Sequence, residues 1–216
     1  AAGPAMHVAL GERWLVTYAP NYSPQEKSLF LLGTVFPDIR YLGVVKRSQT
    51  HYKDVTLAQI YQEKSPFLRG MLFHSFVDEY RMKYIDKHKI SKKVAQVPSR
   101  LQGTFLKVIE DEILHQKHDW TEFRISLASI PDEEKILNIN TEALTQWHTA
   151  LTFYFSTTPS MILTQIGLFD KGILTLDPPT VKTWSTLVPQ YAADPGMVQY
   201  LNDLMSSFEK ALNAKN

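Results

Sequence analysis

The sequence predicts an all-α fold built as a multi-helix bundle, and three observations carry that prediction. Apolar residues recur at three- and four-residue spacing in five separate segments. Several of those segments open with a capping residue followed by proline, a combination that starts helices. Alternating apolar and polar positions, which mark half-buried strands, are scarce: only 172–176 reads as a short extended piece.

Taken in chain order, Leu10, Trp14, Leu15 and Tyr18 form the first helical stripe. Ser23-Pro24-Gln25-Glu26 then supplies a cap, a proline at the first helical position and a capping-box glutamate, so a helix is predicted over 24–32. A polar loop over 46–54 separates it from Ser65-Pro66, which opens a helix over 66–84 with Phe67, Met71, Phe76, Val77 and Tyr80 as its stripe. Phe105, Val108, Ile109, Ile113 and Leu114 predict a helix over 105–118. Leu144, Trp147, Leu151 and Tyr154 predict another over 141–155. Thr158-Pro159 is a weaker start signal. Asp194-Pro195 begins a helix over 195–212 carrying Met197, Leu201, Leu204, Met205 and Phe208. Pro178-Pro179 and Pro189 break the pattern, so the C-terminal third reads as more irregular. No internal repeat or low-complexity tract is present. One domain is expected over 6–216, with 1–5 as a cloning scar or disordered start.

Composition narrows the function classes. The 216 residues suffice to bury about 70% of the unfolded surface without staples. Lys+Arg 23 against Asp+Glu 22 leaves a net charge of +1, which argues against a general binder of duplex nucleic acid. With no cysteine there are no disulfides and no thiolate zinc sites, so a metal must be held by His, Asp or Glu. No apolar run approaches the roughly 18 residues of a membrane span. Localisation stays open at this level: cytoplasmic if Met6 is the native start, secreted or periplasmic if a signal peptide has been removed.

The placement of the seven histidines is more informative than their number. His74 and Asp78 are four residues apart on one helix, so their side chains converge one turn apart; taken alone, that spacing is more often a surface His–Asp ion pair. Gly70 leaves room for something to approach that face, and Arg81 follows one turn later. Asp38 stands after Gly33-Thr34-Val35-Phe36-Pro37, just past an apolar helix; a turn-capping role is the bland alternative. His51 sits in a polar loop, and His7 opens the first helix.

Together these residues resemble the zinc-dependent phospholipase C family, which shares an all-α superfamily with the single-strand-specific zinc nucleases. Four segments carry the resemblance: Met6-His7-Val8-Ala9-Leu10-Gly11, Leu32-Gly33-Thr34-Val35-Phe36-Pro37-Asp38, Thr50-His51-Tyr52, and Phe67 through Asp78 with its Gly70-x3-His74-x3-Asp78 pattern. They span about the first 90 residues. The resemblance implies a metal-binding cleft between helices that holds one to three zinc ions, with other divalent metals as alternatives. It implies Asp38, His51, His74 and Asp78 as ligands of one ion. Asp78 would bridge to a second ion held by His7 and, in many members, by the chain's own amino group. The implied chemistry is hydrolysis of a phosphodiester, a phospholipid among the candidates, by zinc-activated water. Asp38 and Asp78 would take part in catalysis, with Arg81 binding phosphate.

The sequence departs from the family at a third ion. Positions 82–84 are Met, Lys and Tyr where the family places a further histidine, and His88 is about 15 Å beyond Asp78 along a helix. The family's later helical His-x3-acid pair appears here reversed, as Asp111-x3-His115 with His118 following. These three residues share one face and are the remaining candidate ligands; a polar helix face is the alternative. A second resemblance, to acyl-carrier-protein phosphodiesterases, rests on an early histidine, an His-x3-Asp helix and a later Asp/His helix running into Trp120 and Phe123. It implies the same reaction class. A non-catalytic helical scaffold keeping part of the metal site is the reading from a different class. The oligomeric state is not legible in the sequence.

Overall fold

The structure, a computed structural model, describes residues 1–164 and 176–214. The described residues are helical throughout their regular parts and contain no strand. The extended piece expected at 172–176 falls on 172–175, outside the described residues, apart from Leu176.

The chain order is α1 (Pro4–Tyr18), α2 (Pro24–Val35), a 3-10 helix (Phe36–Leu42), α3 (Arg47–Thr50), α4 (Leu57–Gln62), α5 (Pro66–Lys87), a 3-10 helix (Ile90–Val94) and α6 (Ser99–Lys117). It continues with α7 (Thr121–Ser126), a 3-10 helix (Asp132–Leu137), α8 (Thr141–Tyr154), α9 (Pro159–Leu163), α10 (Pro178–Ala192) and α11 (Pro195–Asn213). The capped starts are present as expected, whereas the helix expected over 105–118 begins earlier, at Ser99. Ser23 and Glu26 close a full capping box on α2, and Ser65, Thr158 and Asp194 each accept a backbone N–H at the head of their helices.

α5 is the spine, and its tightest neighbour is α2. Gly33 and Gly70 make that approach: a Cβ at Gly33 would meet the Phe67 carbonyl at 2.2 Å, and one at Gly70 would meet the Phe30 carbonyl at 2.2 Å. Gly70 was expected to make room for an approaching group, and that group is the α2 backbone. Bringing the backbones together sets His74 and Asp78 of α5 beside the end of α2, where Thr34 and Asp38 stand. α1 lies across α2, α5 and α6, and α11 closes over α5 with Phe208 against Phe73, Phe76 and Tyr80.

Several expectations are corrected. Residues 1–5 are neither loose nor peripheral: Ala2 and Ala5 are buried, and α1 already begins at Pro4. The polar loop at 46–54 contains the single turn α3, and Thr56 with Gln59 caps the unexpected α4. In the described residues of the C-terminal third, the prolines sit within or at the head of helices. Pro178 takes the first position of α10, where it has no N–H to lose, and Pro189 is accommodated inside that helix.

Candidate metal centre

Five side chains from four parts of the fold converge beside the α2–α5 contact. His7 comes from the second turn of α1, Asp38 from the 3-10 helix after α2, His51 from the residue ending α3, and His74 and Asp78 from α5. All five are buried or nearly so.

Four of their atoms face one another: Asp38 Oδ1, His51 Nε2, His74 Nε2 and Asp78 Oδ2. A tetrahedron of ligands about 2.0–2.2 Å from a zinc ion has edges of roughly 3.3–3.6 Å. The observed edges are 3.1 Å (His74–Asp78), 3.2 Å (His51–His74), 3.6 Å (His51–Asp78), 3.6 Å (His74–Asp38) and 3.9 Å (His51–Asp38). Two overlapping groups, His7–Asp38–His74 and His51–His74–Asp78, meet the spacing that a metal ion needs.

The hydrogen bonds behind these atoms fix what they present. His74 Nδ1 donates to the Thr34 carbonyl at 2.6 Å. The Thr50 hydroxyl gives its proton to the Arg47 carbonyl at 3.2 Å and accepts from His51 Nδ1 at 2.9 Å. Both imidazoles therefore carry a proton on Nδ1, so in the neutral ring Nε2 is a lone pair turned into the cluster. Donation from the distal ring nitrogen is the arrangement that orients histidine ligands to metals.

Asp78 divides its two oxygens. Oδ1 accepts the Ala2 backbone N–H at 2.8 Å and lies 3.0 Å from His7 Nε2, while Oδ2 faces His51 and His74. The short His7–Asp78 approach lacks the directionality of a hydrogen bond, and both ring nitrogens of His7 are buried without a hydrogen-bond partner. Asp38 Oδ1 and Asp78 Oδ2 are in the same condition. The His7 ring stacks on that of His74 with centroids 3.8 Å apart.

Burial, reinforced by the neighbouring His74, pushes His7 down to about 4, and burial also lowers His51. Burial works against charge on His74 and Asp78 too, but there the pairing wins: Asp78 and Asp38 raise His74, and His74 and His7 hold Asp78 well below the ordinary carboxylate range. Buried lone pairs left facing each other cost free energy that a dication in their midst recovers.

The other candidates separate. Asp111 is buried, but its carboxylate accepts the backbone N–H groups of Ala5 and Met6 at 3.0 and 3.1 Å and the Tyr154 hydroxyl. It anchors the positive end of α1, and so His7, rather than joining either ligand group. Burial pushes Asp111 up to about 6. His115 and His118 do not share its destination: both stack on Trp120, with Arg13 acting on His118 and Arg124 on His115. They enter neither ligand group, because the aromatic face of Trp120 holds the last turn of α6 outward. His88 ends α5 against Tyr84 and is exposed. Arg81 is buried beside the cluster, yet its donors are taken. Nε and Nη2 clamp Glu110 at 2.7 and 3.0 Å, and Nη1 donates to the Ala1 carbonyl, so the guanidinium expected to bind phosphate is engaged within the fold. The group that sequence reasoning missed entirely is the supporting shell of the Thr34 carbonyl, Thr50, the Ala2 amide and Tyr154. Only Thr50, adjacent to His51, offered any local signal.

A cavity of about 500 Å³, lined by Trp14, Tyr18, Leu57, Tyr61 and Leu212 among others, sits toward the other end of α1 and contains none of the five residues. Comparison with family models, curated proteins and solved structures returns no match.

Proposed function

We propose that the protein is a metal-dependent phosphodiester hydrolase of phospholipase C type, working with two zinc ions. The observation that carries the reading is the buried cluster of His7, Asp38, His51, His74 and Asp78, which contains two overlapping three-residue groups at metal-binding spacing. Asp38, His51, His74 and Asp78 would hold one ion. His7 and Asp78 would begin the site of the other. When bound, such a pair supplies Lewis acidity toward a phosphoryl group and a water of lowered pKa.

The chain's own contributions follow from the contacts. Thr34 and Thr50 fix the tautomer and tilt of His74 and His51. Asp111 holds the head of α1 and with it His7. Asp78, bonded by Ala2, keeps one oxygen toward each histidine set. A third ion finds no ligand set among the described residues, since Asp111 is committed to backbone N–H groups and His115 and His118 face Trp120. That same shortfall favours the second reading, a helical scaffold with a structural metal and no turnover.

One experiment separates the two. Zinc-supplemented protein is assayed on phosphatidylcholine vesicles, single-stranded oligonucleotides and a phosphopantetheine-linked acyl carrier protein, with bis(p-nitrophenyl) phosphate as a generic phosphodiester. Chelator-sensitive hydrolysis of any of them supports the enzyme. Stoichiometric metal with no hydrolysis of all four supports the scaffold.

A further inference from the structure

Among the described residues, two cations beside the cluster lack an acidic partner. Arg40 stands two residues after Asp38 in the same 3-10 helix, and Lys107 stands one turn before Asp111 on α6. Arg40 Nη2 donates to the Tyr41 hydroxyl at 3.0 Å, and Lys107 Nζ donates to the same oxygen at 3.3 Å. The like charges are thus gathered onto one phenol. Lys107 is only 8% exposed, and Arg40 Nε is buried without a hydrogen-bond partner. No carboxylate forms an ion pair with either among the described residues.

The Tyr41 ring supplies part of the compensation. The Arg40 guanidinium lies 4.2 Å from its centroid and the Lys107 ammonium 5.1 Å, both within cation–π range. A ring quadrupole, however, carries no net charge and accepts no hydrogen bond in its plane. The Tyr41 oxygen already accepts twice, so its own O–H is left to donate, and no acceptor for it appears among the described residues. What remains is an array of donors only: Arg40 Nε–H, the spare Lys107 N–H groups and the Tyr41 O–H. Two positive charges gathered at one phenol, with only N–H and O–H groups left unspent, suit an oxyanion carrying two negative charges.

We propose that Arg40, Tyr41 and Lys107 form an oxyanion subsite that takes a phosphomonoester group. Its use rests on the phosphodiesterase reading: the substrate would carry a terminal phosphate in addition to the diester presented to the His/Asp cluster. Its existence as a phosphate site does not rest on that reading. The subsite therefore selects anionic, doubly phosphorylated substrates over zwitterionic ones.

The test is calorimetric titration of the full-length chain with inorganic phosphate, after chelator treatment so that zinc cannot hold the anion. We expect saturable, salt-sensitive binding, weakened at least tenfold in Lys107→Gln and several-fold in Tyr41→Phe. Arg40→Gln, at a half-buried position, serves if Lys107→Gln fails to fold by circular dichroism. Glycerol phosphate and phosphatidate-containing vesicles then distinguish a soluble from a lipid-borne phosphate, and binding of either supports the subsite. Absence of phosphate binding in the chelated wild type, or equal binding in all three variants, overturns it. Hydrolysis of simple phosphodiesters with no phosphate binding would remove the subsite and leave the proposed function standing. Phosphate binding without hydrolysis would do the reverse.

Discussion

At the scale of single residues, Asp78 is the pivot. Its oxygens meet His7 on one side and His51 with His74 on the other, and Ala2 fixes the carboxylate between them. Asp78→Asn keeps the shape and removes the charge, so bound metal measured by inductively coupled plasma mass spectrometry should fall at least tenfold. Helicity should persist, because Phe67, Met71 and Val77 still fill the core. Glu79→Gln is the matched control. Among the described residues Glu79 pairs only with the exposed Lys83, a contact worth at most about 1 kcal/mol, and its loss should leave metal content unchanged. A subtler change tests the supporting shell. Thr50→Val keeps the volume but removes the oxygen that accepts from His51 Nδ1, and zinc affinity by competition with a chelating dye should weaken about 10–100-fold. Unchanged affinity would mean that His51 is oriented by packing alone.

Elements place these residues, and the Gly33–Gly70 contact is where α2 and α5 are held close enough to do so. Gly33→Ala would drive a methyl group into the Phe67 carbonyl, a backbone atom that cannot rotate away. Denaturant melts should show a loss of about 1–3 kcal/mol or more, with weaker metal binding as Asp38 separates from His74. α6 shows how a helix can mislead when read by itself. Its Glu110, Asp111 and Glu112 suggest a solvated face, yet all three are buried. Each has found a partner from elsewhere in the chain: Arg81 and Tyr200 for Glu110, the head of α1 for Asp111, and Ser160 for Glu112. A second pair links the last 3-10 helix to α8, where His148 Nε2 meets Glu134 at 2.7 Å. Burial works to lower the His148 pKa, but the bonds and charge of Glu134 outweigh it and raise it. A raised histidine stabilises fully below its unfolded value of 6.5, and the contribution fades as pH rises through the folded value. The stability gap between wild type and Glu134→Gln should therefore be widest in mild acid and shrink toward alkaline pH. A gap that grows with pH would show that the pair is not ionic.

Over the whole molecule, what was legible in the sequence is what local physics controls. Caps followed by proline marked the heads of α2, α5 and α11, and apolar periodicity marked their buried faces. Five ligand candidates were legible because His74 and Asp78 share a helical face, and because His7, Asp38 and His51 stand in segments whose order resembles a known family. The fates of Asp111, His115 and His118 were not legible. Whether a polar residue on a helix faces a cleft, a backbone or an aromatic ring depends on which element packs there, and Trp120 and the head of α1 decide it. Pro189 misled for the complementary reason, since tertiary packing tolerates within α10 what propensity forbids. The central claim is that one buried His/Asp cluster is a metal centre, and anomalous diffraction at the zinc absorption edge from crystals of zinc-supplemented protein tests it most directly. The account predicts a strong peak within coordination distance of Asp38, His51, His74 and Asp78, and a second beside His7 and Asp78. A map with no peak there, or with zinc only at His115 and His118, would contradict it.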